Sequence, residues 1–277
     1  MYISKDKQRK IKLFYFGNLM NSFDSKSHNF LKSYYKKYLF EVDLIVETIC
    51  KNNISNPKVL DAGGGLGIPS IILSEIFNYK SYIIDRYDEF SDEHDREVGT
   101  CDVIIDRLKS YDVLVYKENF LDNKTHSIKS SFDIVTNFSV IEHIPTSPYR
   151  VINALSSFVN QNGYLIVSTP NQAHIFNRVK LMLGKNVWED LATFCEPGIF
   201  YGHVREYLLK ELKLLINNSD NLLLSDHGGS NYAIYSFFIR KYGNKFITKG
   251  VSNILDKSIK IFPTLCLQVY VVAKVSR

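Results

Sequence analysis

Apolar residues in the first third of the chain follow a helical period and then a strand-like run. Between residues 28 and 50 they recur at spacings of three and four, which predicts an amphipathic helix. A short apolar run at Lys58–Ala62 predicts a buried strand, and a glycine-rich turn at residues 63–67 follows it. A second helix with one apolar face is predicted to begin near Ile68.

The alternation of apolar runs and helical periods continues to Pro170. Helices are predicted at about 92–109 and 148–159. Four further strands are predicted, at Tyr82–Ile84, Val113–Tyr116, Phe132–Phe138 and Gly163–Thr169. Strands of nearly continuous apolar content, separated by helices, are typical of a parallel sheet that is covered on both faces. The pattern therefore predicts an α/β fold.

The pattern changes after Pro170. Helices are predicted at about 174–184 and 206–217, and an aromatic, basic stretch occupies residues 232–260. Two late strands are predicted on either side of that stretch, at Leu222–Leu224 and Leu267–Ala273. We predict a single domain over residues 1–277, composed of a helical N-terminal region (1–54), an α/β core (55–173) and a C-terminal elaboration (174–277).

Composition excludes several classes of protein. The 277 residues are 45% apolar and 23% charged, which is typical of a globular protein. The four cysteines form no CxxC pair, which excludes a disulfide scaffold and a zinc ribbon and fits a reducing compartment, so we expect a cytoplasmic protein. The apolar stretch Ile261–Ala273 is too short to span a membrane, and Leu13–Phe16 is too short for a signal peptide.

The net charge of +5 conceals an acidic middle between two basic flanks. Residues 1–40 carry nine Lys and Arg and two acids, residues 41–173 carry eleven and nineteen, and residues 174–277 carry fourteen and eight. The basic run between Lys5 and Lys12, beside Phe14–Phe16, is interpreted as a solvated tail in preference to a surface that rests on anionic lipid. The basic flanks favour an anionic binding partner.

The most informative segment runs from Val59 to Gly67. Asp61 ends the strand and leads three glycines at alternate positions, Gly63, Gly65 and Gly67. Glycines allow a sharp turn and let a ligand lie against bare main chain, although a tight strand-to-helix turn alone would also need them. The helix that follows offers its N-terminal N–H groups to an anionic group.

A second acid strengthens the ligand-binding interpretation. Asp85 ends the second strand, where a carboxylate can accept both hydroxyls of a ribose; the alternatives are a helix N-cap or a solvated loop acid. The dinucleotide fingerprint fails at Ile68, and no Gly-Lys-Ser/Thr follows the glycines, which excludes a phosphate-binding P-loop. An acid ahead of the glycines would repel a pyrophosphate and favour a cationic amine.

Over about residues 55–172 the sequence resembles the class I S-adenosylmethionine-dependent methyltransferases, with a weaker match near 200–226. The residues that carry the resemblance are Val59–Gly67, Tyr82–Asp85, Phe132–Ile144 and Gly163–Asn171. The resemblance implies a Rossmann-like, doubly wound sheet of seven strands, the last two forming a hairpin. It also implies S-adenosylmethionine as the cofactor, a lid role for residues 1–54 and an acceptor-binding role for the C-terminal elaboration.

The resemblance also implies roles for single residues. Asp61 and the three glycines would hold the methionine end of the cofactor, and Asp85 would hold the ribose. The position that approaches the adenine amine is Asn119, whose carbonyl can replace the usual acid as an acceptor. Phe120 would pack either on the adenine ring or in the core.

Two histidines are the candidates for catalysis. His143 follows the fourth strand, at the edge of the sheet where open α/β proteins bind ligands, and would act as a base or position the acceptor. His203 lies in a Gly-His-x-Arg-x-Tyr segment ahead of a predicted helix. A structural role is the alternative for each. Ubiquinone-type O-methyltransferases carry a metal-binding Glu three residues before the Glu-His pair; Ser139 occupies that position, so we predict no metal.

Aromatic residues near these segments have two interpretations. Trp188 and Tyr201 would line an acceptor pocket, and Tyr34, Tyr35 and Tyr38 would form part of a lid, because aromatic faces attract a sulfonium cation. Packing in the core is the preferred alternative.

The sequence thus predicts a methyltransferase that O-methylates a small or carrier-linked acceptor, such as a sugar or glycan intermediate. An RNA methyltransferase is one alternative, but no Asn/Asp-Pro-Pro-Tyr/Phe segment ends the fourth strand and no separate RNA-binding module is visible, so no stable nucleic-acid partner is expected. A cofactor-binding protein without activity is the other. Nothing in the pattern indicates an oligomeric state.

Overall fold

The fold is built around one β-sheet. The computed structural model describes residues 2–87, 101–122, 128, 131–188, 191–195, 202–232 and 261–276. Within these residues the sheet has seven strands in the order β3-β2-β1-β4-β5-β7-β6. The strands are β1 (Lys58–Ala62), β2 (Lys80–Asp85), β3 (Leu114–Lys117), β4 (Phe132–Phe138), β5 (Val159–Pro170), β6 (Leu222–Ser230) and β7 (Gln268–Val275). The first five are parallel, and β7 runs antiparallel to both β5 and β6. The predicted Rossmann-like fold with a terminal antiparallel pair is confirmed.

The described residues form eight α-helices, of which the first five and the last pack on the sheet. They are α1 (Lys5–Phe14), α2 (His28–Lys51), α3 (Ile68–Phe77), α4 (Cys101–Ser110), α5 (Pro148–Phe158), α6 (Ile175–Met182), α7 (Leu191–Phe194) and α8 (Leu209–Asn217). None of the helices in the described part of the chain has both the length and the apolar composition needed to cross a bilayer.

Alternate residues of the central strands enter two separate apolar layers. Val59 and Ile134 belong to one core cluster, which includes side chains of α1–α4. Leu60 and Val135 belong to the other, which includes side chains of α5 and α8. Because successive strand residues point to opposite faces, a strand buried on both sides must be apolar throughout, as β1 and β4 nearly are.

The basic N-terminal segment is an ordered helix, which corrects its interpretation as a solvated tail. The backbone N–H groups of Tyr2 and Ile3 both donate to Asp43 Oδ1 of α2, at 2.7 Å each. Lys7 Nζ donates to the carbonyl of Ile76 at 2.6 Å, and the side chains of Ile3 and Ile11 are buried. The charged face of α1 therefore lies outward while its apolar residues close the core.

The larger differences from the predicted bounds are in β5, β6 and α8. Strand β5 begins at Val159, four residues before its predicted start at Gly163. The strand predicted at Leu222–Leu224 continues to Ser230, because β7 pairs with it along its whole length, including Gly228 and Gly229. The helix predicted at 206–217 begins at Leu209: Leu208 is extended, and its N–H donates to Glu211 Oε2 at 2.8 Å. The first half of the helix predicted at 92–109 and most of the aromatic stretch 232–260 lie outside the described residues.

Candidate active site

The carboxyl ends of β1, β2 and β4 meet at one edge of the sheet. The chain order reverses between β1 and β4, which is where open α/β sheets form a ligand-binding crevice. Asp61 lies at this edge, and its Oδ1 accepts a hydrogen bond of 2.7 Å from the hydroxyl of Thr136. Asn137 Nδ2 donates to the carbonyl of Ala62 at 2.9 Å. The adjacent strand thus holds Asp61 and the start of the glycine turn in place.

The glycines that follow β1 serve different purposes. Gly63, Gly65 and Gly67 all have positive φ, at 78°, 51° and 63°. A Cβ on Gly67 would lie 2.3 Å from Leu108 Cδ2, so this glycine permits close packing between the turn and α4. A Cβ on Gly65 would meet nothing within 4 Å. The main chain at Gly65 therefore borders open space in which a ligand can lie.

The carboxylate of Asp85 stabilises this turn through hydrogen bonds to the main chain. Its Oδ2 accepts the N–H of Gly65 at 3.0 Å, and its Oδ1 accepts the N–H of Tyr87 at 3.2 Å. The hydroxyl of Tyr87 donates in turn to the carbonyl of Gly65 at 2.8 Å. Asp85 is therefore an ordered group beside the tip of the turn, and its carboxylate is of the type that accepts ribose hydroxyls.

A charged pair from α2 covers the same edge. Lys37 Nζ lies 3.7 Å from Glu41 Oε1, and the side chain of Glu41 is 3% exposed. Burial raises the pKa of Glu41 to about 8 and that of Asp61 to about 6, and the charge of Asp85 adds to the rise at Asp61. The ammonium of Lys37 opposes the rise in pKa at Glu41, Asp61 and Glu142 alike. Lys37 is thus a cation among three buried acids.

Two buried polar atoms at this edge, Asn137 Oδ1 and Glu142 Oε1, have no hydrogen-bond partner among the described residues. Glu41 Oε1 pairs with Lys37, and the hydroxyl of Tyr232 interacts with Ser139. Buried polar atoms in folded proteins are nearly always hydrogen-bonded. Both unpaired atoms are oxygens that can accept from a donor. This edge therefore fits a polar ligand with an ammonium group and hydroxyls.

The chain turns sharply after β4. Ser139 has φ of 56°, an uncommon value for a residue with a side chain, and its N–H donates to the carbonyl of Ser168 at 2.9 Å. A short 3₁₀ turn, Ile141–His143, follows. Glu142 is fully buried, and its Oε2 accepts from the hydroxyl of Thr169 at 3.1 Å. Burial raises the pKa of Glu142 to about 7, and a nearby His203 opposes that rise.

The structure brings the two predicted histidines together although they lie 60 residues apart in sequence. Their ring centroids are 4.8 Å apart, with the ring planes at 72°. The carbonyl of Glu142 accepts the N–H groups of Val204 and Arg205, at 2.8 and 3.1 Å, and so joins the two segments. We call Glu142, His143 and His203 the histidine cluster.

The other predicted residues lie as follows. Asn119 is half-buried, and its Oδ1 accepts the N–H of Leu121 at 3.0 Å in a local turn. Phe120 packs in the core beside Leu60 and Ile84, as its core interpretation requires. Contacts of Asn119 and Phe120 with adenine stay predictions, as do the roles assigned to Asp61, the three glycines and Asp85.

The predicted aromatic residues divide between core and surface. Tyr34, Tyr35 and Tyr38 join an aromatic cluster with Tyr15 and residues beside it. Trp188 is 51% exposed and so is not a core residue. Tyr201 lies outside the described residues.

Sequence reasoning missed Lys37, Glu41 and Glu206. A usable signal existed for Glu41, which follows Tyr38 by three residues and precedes Ile45 by four, and therefore lies on the apolar face of its helix. An acid in that position needs a partner or a function, and Lys37 stands one turn before it. Glu206 gave no comparable signal.

Comparison with known proteins agrees with this geometry. A family model described as a methyltransferase domain matches residues 33–220. A ubiquinone biosynthesis O-methyltransferase of Histophilus somni is 31% identical over 127 residues, or 44% of this chain and 48% of the relative. A ribosomal RNA small subunit methyltransferase G of Ureaplasma parvum serovar 3 is 30% identical over 116 residues, or 40% and 47%. The chain spans about half the length of these relatives.

A solved structure extends the likeness to nearly the whole chain. Magnesium protoporphyrin IX methyltransferase of Synechocystis PCC 6803, with bound S-adenosylhomocysteine, superposes with a TM-score of 0.52 over 98% of this chain and 94% of its own. At 15% identity this likeness concerns the fold alone. The family match, the switch-point crevice and the acid-led glycine turn lead to one conclusion: the chain belongs to the methyltransferase-domain family, whose cofactor is S-adenosylmethionine.

Proposed function

We propose that this chain transfers the methyl group of S-adenosylmethionine to a hydroxyl oxygen of a small or carrier-linked acceptor, such as a sugar or glycan intermediate. The observation that carries the proposal is the position of the histidine cluster, at the same sheet edge as Asp61 and the glycine turn. Transfer to a hydroxyl benefits from a group that takes or weakens its proton, and imidazoles near neutrality suit that task.

The cofactor-facing residues have complementary charges. Asp61 and Glu41 would receive the ammonium of the methionine end, and Lys37, which lies 3.7 Å from Glu41 Oε1, would face its carboxylate. Asp85 would accept the ribose hydroxyls beside Gly65. When bound, the cofactor supplies a methyl group on a sulfonium, and the chain's own task is to align the acceptor for in-line attack and to exclude water.

His203 is the better oriented of the two histidines. Its Nδ1 lies 2.8 Å from Glu206 Oε1, so the carboxylate holds the ring and would stabilise an imidazolium. His143 lies at the more exposed side, with Nδ1 3.3 Å from the carbonyl of Gly202. We assign both to the acceptor hydroxyl, which they would hold and from which one of them would receive the proton.

The acceptor class is tested by methyl-labelled S-adenosylmethionine and a panel of free, nucleotide-linked and lipid-linked sugars. We expect label on oxygen in at least one sugar, and a loss of at least tenfold in kcat for His143→Ala together with His203→Ala. His227→Gln, an exposed histidine on β6, is the matched control and should retain full activity. Label on no sugar, or equal rates for the double variant, would contradict the assignment.

RNA methylation is the second candidate, because three matched relatives are named ribosomal RNA methyltransferases and the first 40 residues are strongly basic. Its test is transfer of label to total RNA, with a rate that falls steeply as salt rises. Label in RNA and none in sugars would replace the first proposal with this one.

A further inference from the structure

Tyr87 has a backbone conformation that is uncommon for its residue type. Its φ is 44°, in the left-handed region that bulky side chains rarely adopt. Such conformations cost free energy, persist only where surrounding contacts determine them, and are concentrated at functional sites. Tyr87 follows the end of β2 by two residues and reaches the glycine turn with its hydroxyl. Its contacts with that turn therefore indicate what the conformation serves.

The segment from Asp85 to Tyr87 holds Gly65 from both sides. The N–H of Gly65 donates to Asp85 Oδ2 at 3.0 Å, which fixes the peptide group before the Gly65 Cα. The Tyr87 hydroxyl donates to the carbonyl of Gly65 at 2.8 Å, which fixes the peptide group after it. The N–H of Tyr87 closes the network by donating to Asp85 Oδ1 at 3.2 Å. The positive φ of Tyr87 thus accompanies three hydrogen bonds that join β2 to the turn.

Gly65 is the position in the turn where such restraint has the largest effect. Glycine has access to more φ and ψ values than any other residue, and no atom lies within 4 Å of a Cβ built on Gly65. The hydrogen bonds of Asp85 and Tyr87 therefore keep its φ at 51°. A turn that is ordered before binding spares the cofactor the entropy of ordering it.

The hydroxyl of Tyr87 is suited to act as a permanent donor. The residue is 2% exposed, so water does not compete for its hydrogen bond. Burial raises the pKa of the hydroxyl, and the charges of Asp85 and Asp61 raise it further. The hydroxyl therefore stays protonated over the pH range of an enzyme assay and takes no part in proton transfer.

We propose that Tyr87 is a positioning residue for the cofactor, whose hydroxyl holds the main chain of Gly65, and with it the carboxylate of Asp85, in the geometry that binds the nucleoside part of S-adenosylmethionine. Tyr87 acts through Gly65 and Asp85, without touching the cofactor. The proposal rests on the predicted contact of Asp85 with the ribose and does not depend on the identity of the methyl acceptor.

The test removes the hydroxyl and keeps the ring. Tyr87→Phe should weaken the Kd of S-adenosylhomocysteine, measured by calorimetry, about tenfold, the equivalent of one hydrogen bond. Tyr164→Phe is the matched control, because Tyr164 is also buried, its hydroxyl donates to Asn52 Oδ1 at 2.6 Å, and it lies well before the carboxyl end of β5. Both variants should unfold at a lower urea concentration, but only Tyr87→Phe should change the Kd.

A double-mutant cycle distinguishes positioning from a general loss of stability. If Tyr87 acts through Asp85, Tyr87→Phe should weaken the Kd by less than about threefold when Asp85→Asn is already present. Adenosine, which lacks the amino-acid end, should lose affinity for Tyr87→Phe by the same factor as S-adenosylhomocysteine. Lys37→Met should leave the affinity for adenosine unchanged.

An unchanged Kd for Tyr87→Phe would overturn the proposal, as would full additivity with Asp85→Asn. A wild-type Kd for Asp85→Asn would overturn it at the ribose contact. Should Tyr87→Phe fail to fold, hydrogen exchange of the wild type tests the same point: the Gly65 amide should be protected before any cofactor is added, and rapid exchange would contradict the proposal.

These results are independent of the acceptor. Label on no sugar would refute the proposed function and leave the role of Tyr87 standing. Label on a sugar, together with an unchanged Kd for Tyr87→Phe, would refute the role of Tyr87 alone.

Discussion

At single positions near the glycine turn, the backbone φ angle and the burial of charged groups limit which side chains can be accommodated. Gly65 and Gly67 share a positive φ, but only Gly67 is enclosed by side chains, those of Leu108 and Ile83. Asp61 is 6% exposed and keeps its carboxylate next to other acids. Two predictions follow from these local facts.

Gly67→Ala should lower the free energy of unfolding by about 2–4 kcal/mol, because a Cβ adds backbone strain and a clash with Leu108. Gly65→Ala should lower it by only about 1 kcal/mol, from strain alone, while weakening cofactor binding. Urea denaturation monitored by circular dichroism measures both. Equal losses in the two variants would contradict this account of the turn.

Cofactor affinity should depend on the ionisation of Asp61. Its pKa is raised to about 6 in the protein, so the side chain is protonated below that pH and charged above it. A cationic ligand favours the charged form; affinity should therefore fall by up to about tenfold per pH unit below pH 6 and level off above it. Calorimetry from pH 5 to pH 8 should show this step in the wild type. Asp61→Asn should bind more weakly and lack the step.

At the scale of elements, the N-terminal helix α2 brings two charged side chains to the edge of the sheet that carries Asp61. The long helix α2 spans the face of the sheet, and its middle carries Lys37 and Glu41 to the edge where Asp61 lies. The first helix α1 is fastened to α2 through Asp43 and to α3 through Lys7. The lid role of residues 1–54 stays a prediction.

Lys37→Met should weaken binding of S-adenosylhomocysteine about tenfold, because it removes the cation proposed to face the carboxylate of the ligand's amino-acid end. S-adenosylhomocysteine has the same amino-acid end but no sulfonium charge, so the effect reports on that end. Lys32→Met, on the exposed face of the same helix, is the control. An unchanged Kd for Lys37→Met would remove Lys37 from the cofactor site.

Asp43→Ala should lower the free energy of unfolding by about 2 kcal/mol. The change removes the buried acceptor of two N–H groups, those of Tyr2 and Ile3, and so loosens the start of the chain. Asp6→Ala is the comparison, because its pair with Lys10 is exposed and should contribute less than about 1 kcal/mol. Thermal or urea unfolding distinguishes the two; similar losses would mean that Asp43 does not anchor α1.

At the scale of the whole molecule, one sheet edge collects groups from distant parts of the chain. Lys37 and Glu41 come from α2, Asp61 from β1, Glu142 and His143 from the turn after β4, and His203 from the loop ahead of α8. The acidic middle of the chain contains Asp61 and Asp85, for which a cofactor-binding role is predicted, so the overall charge of +5 is weak evidence for a nucleic-acid partner.

The sequence by itself determined the fold class and the position of the acid-led glycine turn. The bounds of β1 and β4 match their predicted ranges, because a strand buried on both faces leaves a continuous apolar run. The acid-led glycine turn was equally visible, since a turn of this kind depends on residues that are adjacent in sequence.

Only the tertiary structure decided what lies together. The second half of β6 has Gly228 and Gly229 where a strand signal would need β-branched residues, and pairing with β7 alone holds it in the sheet. The histidine cluster and the approach of Lys37 to three acids join residues from separate elements. Such contacts depend on how helices and turns pack over the sheet. The apolar periodicity of the sequence predicts single elements but not the contacts between them.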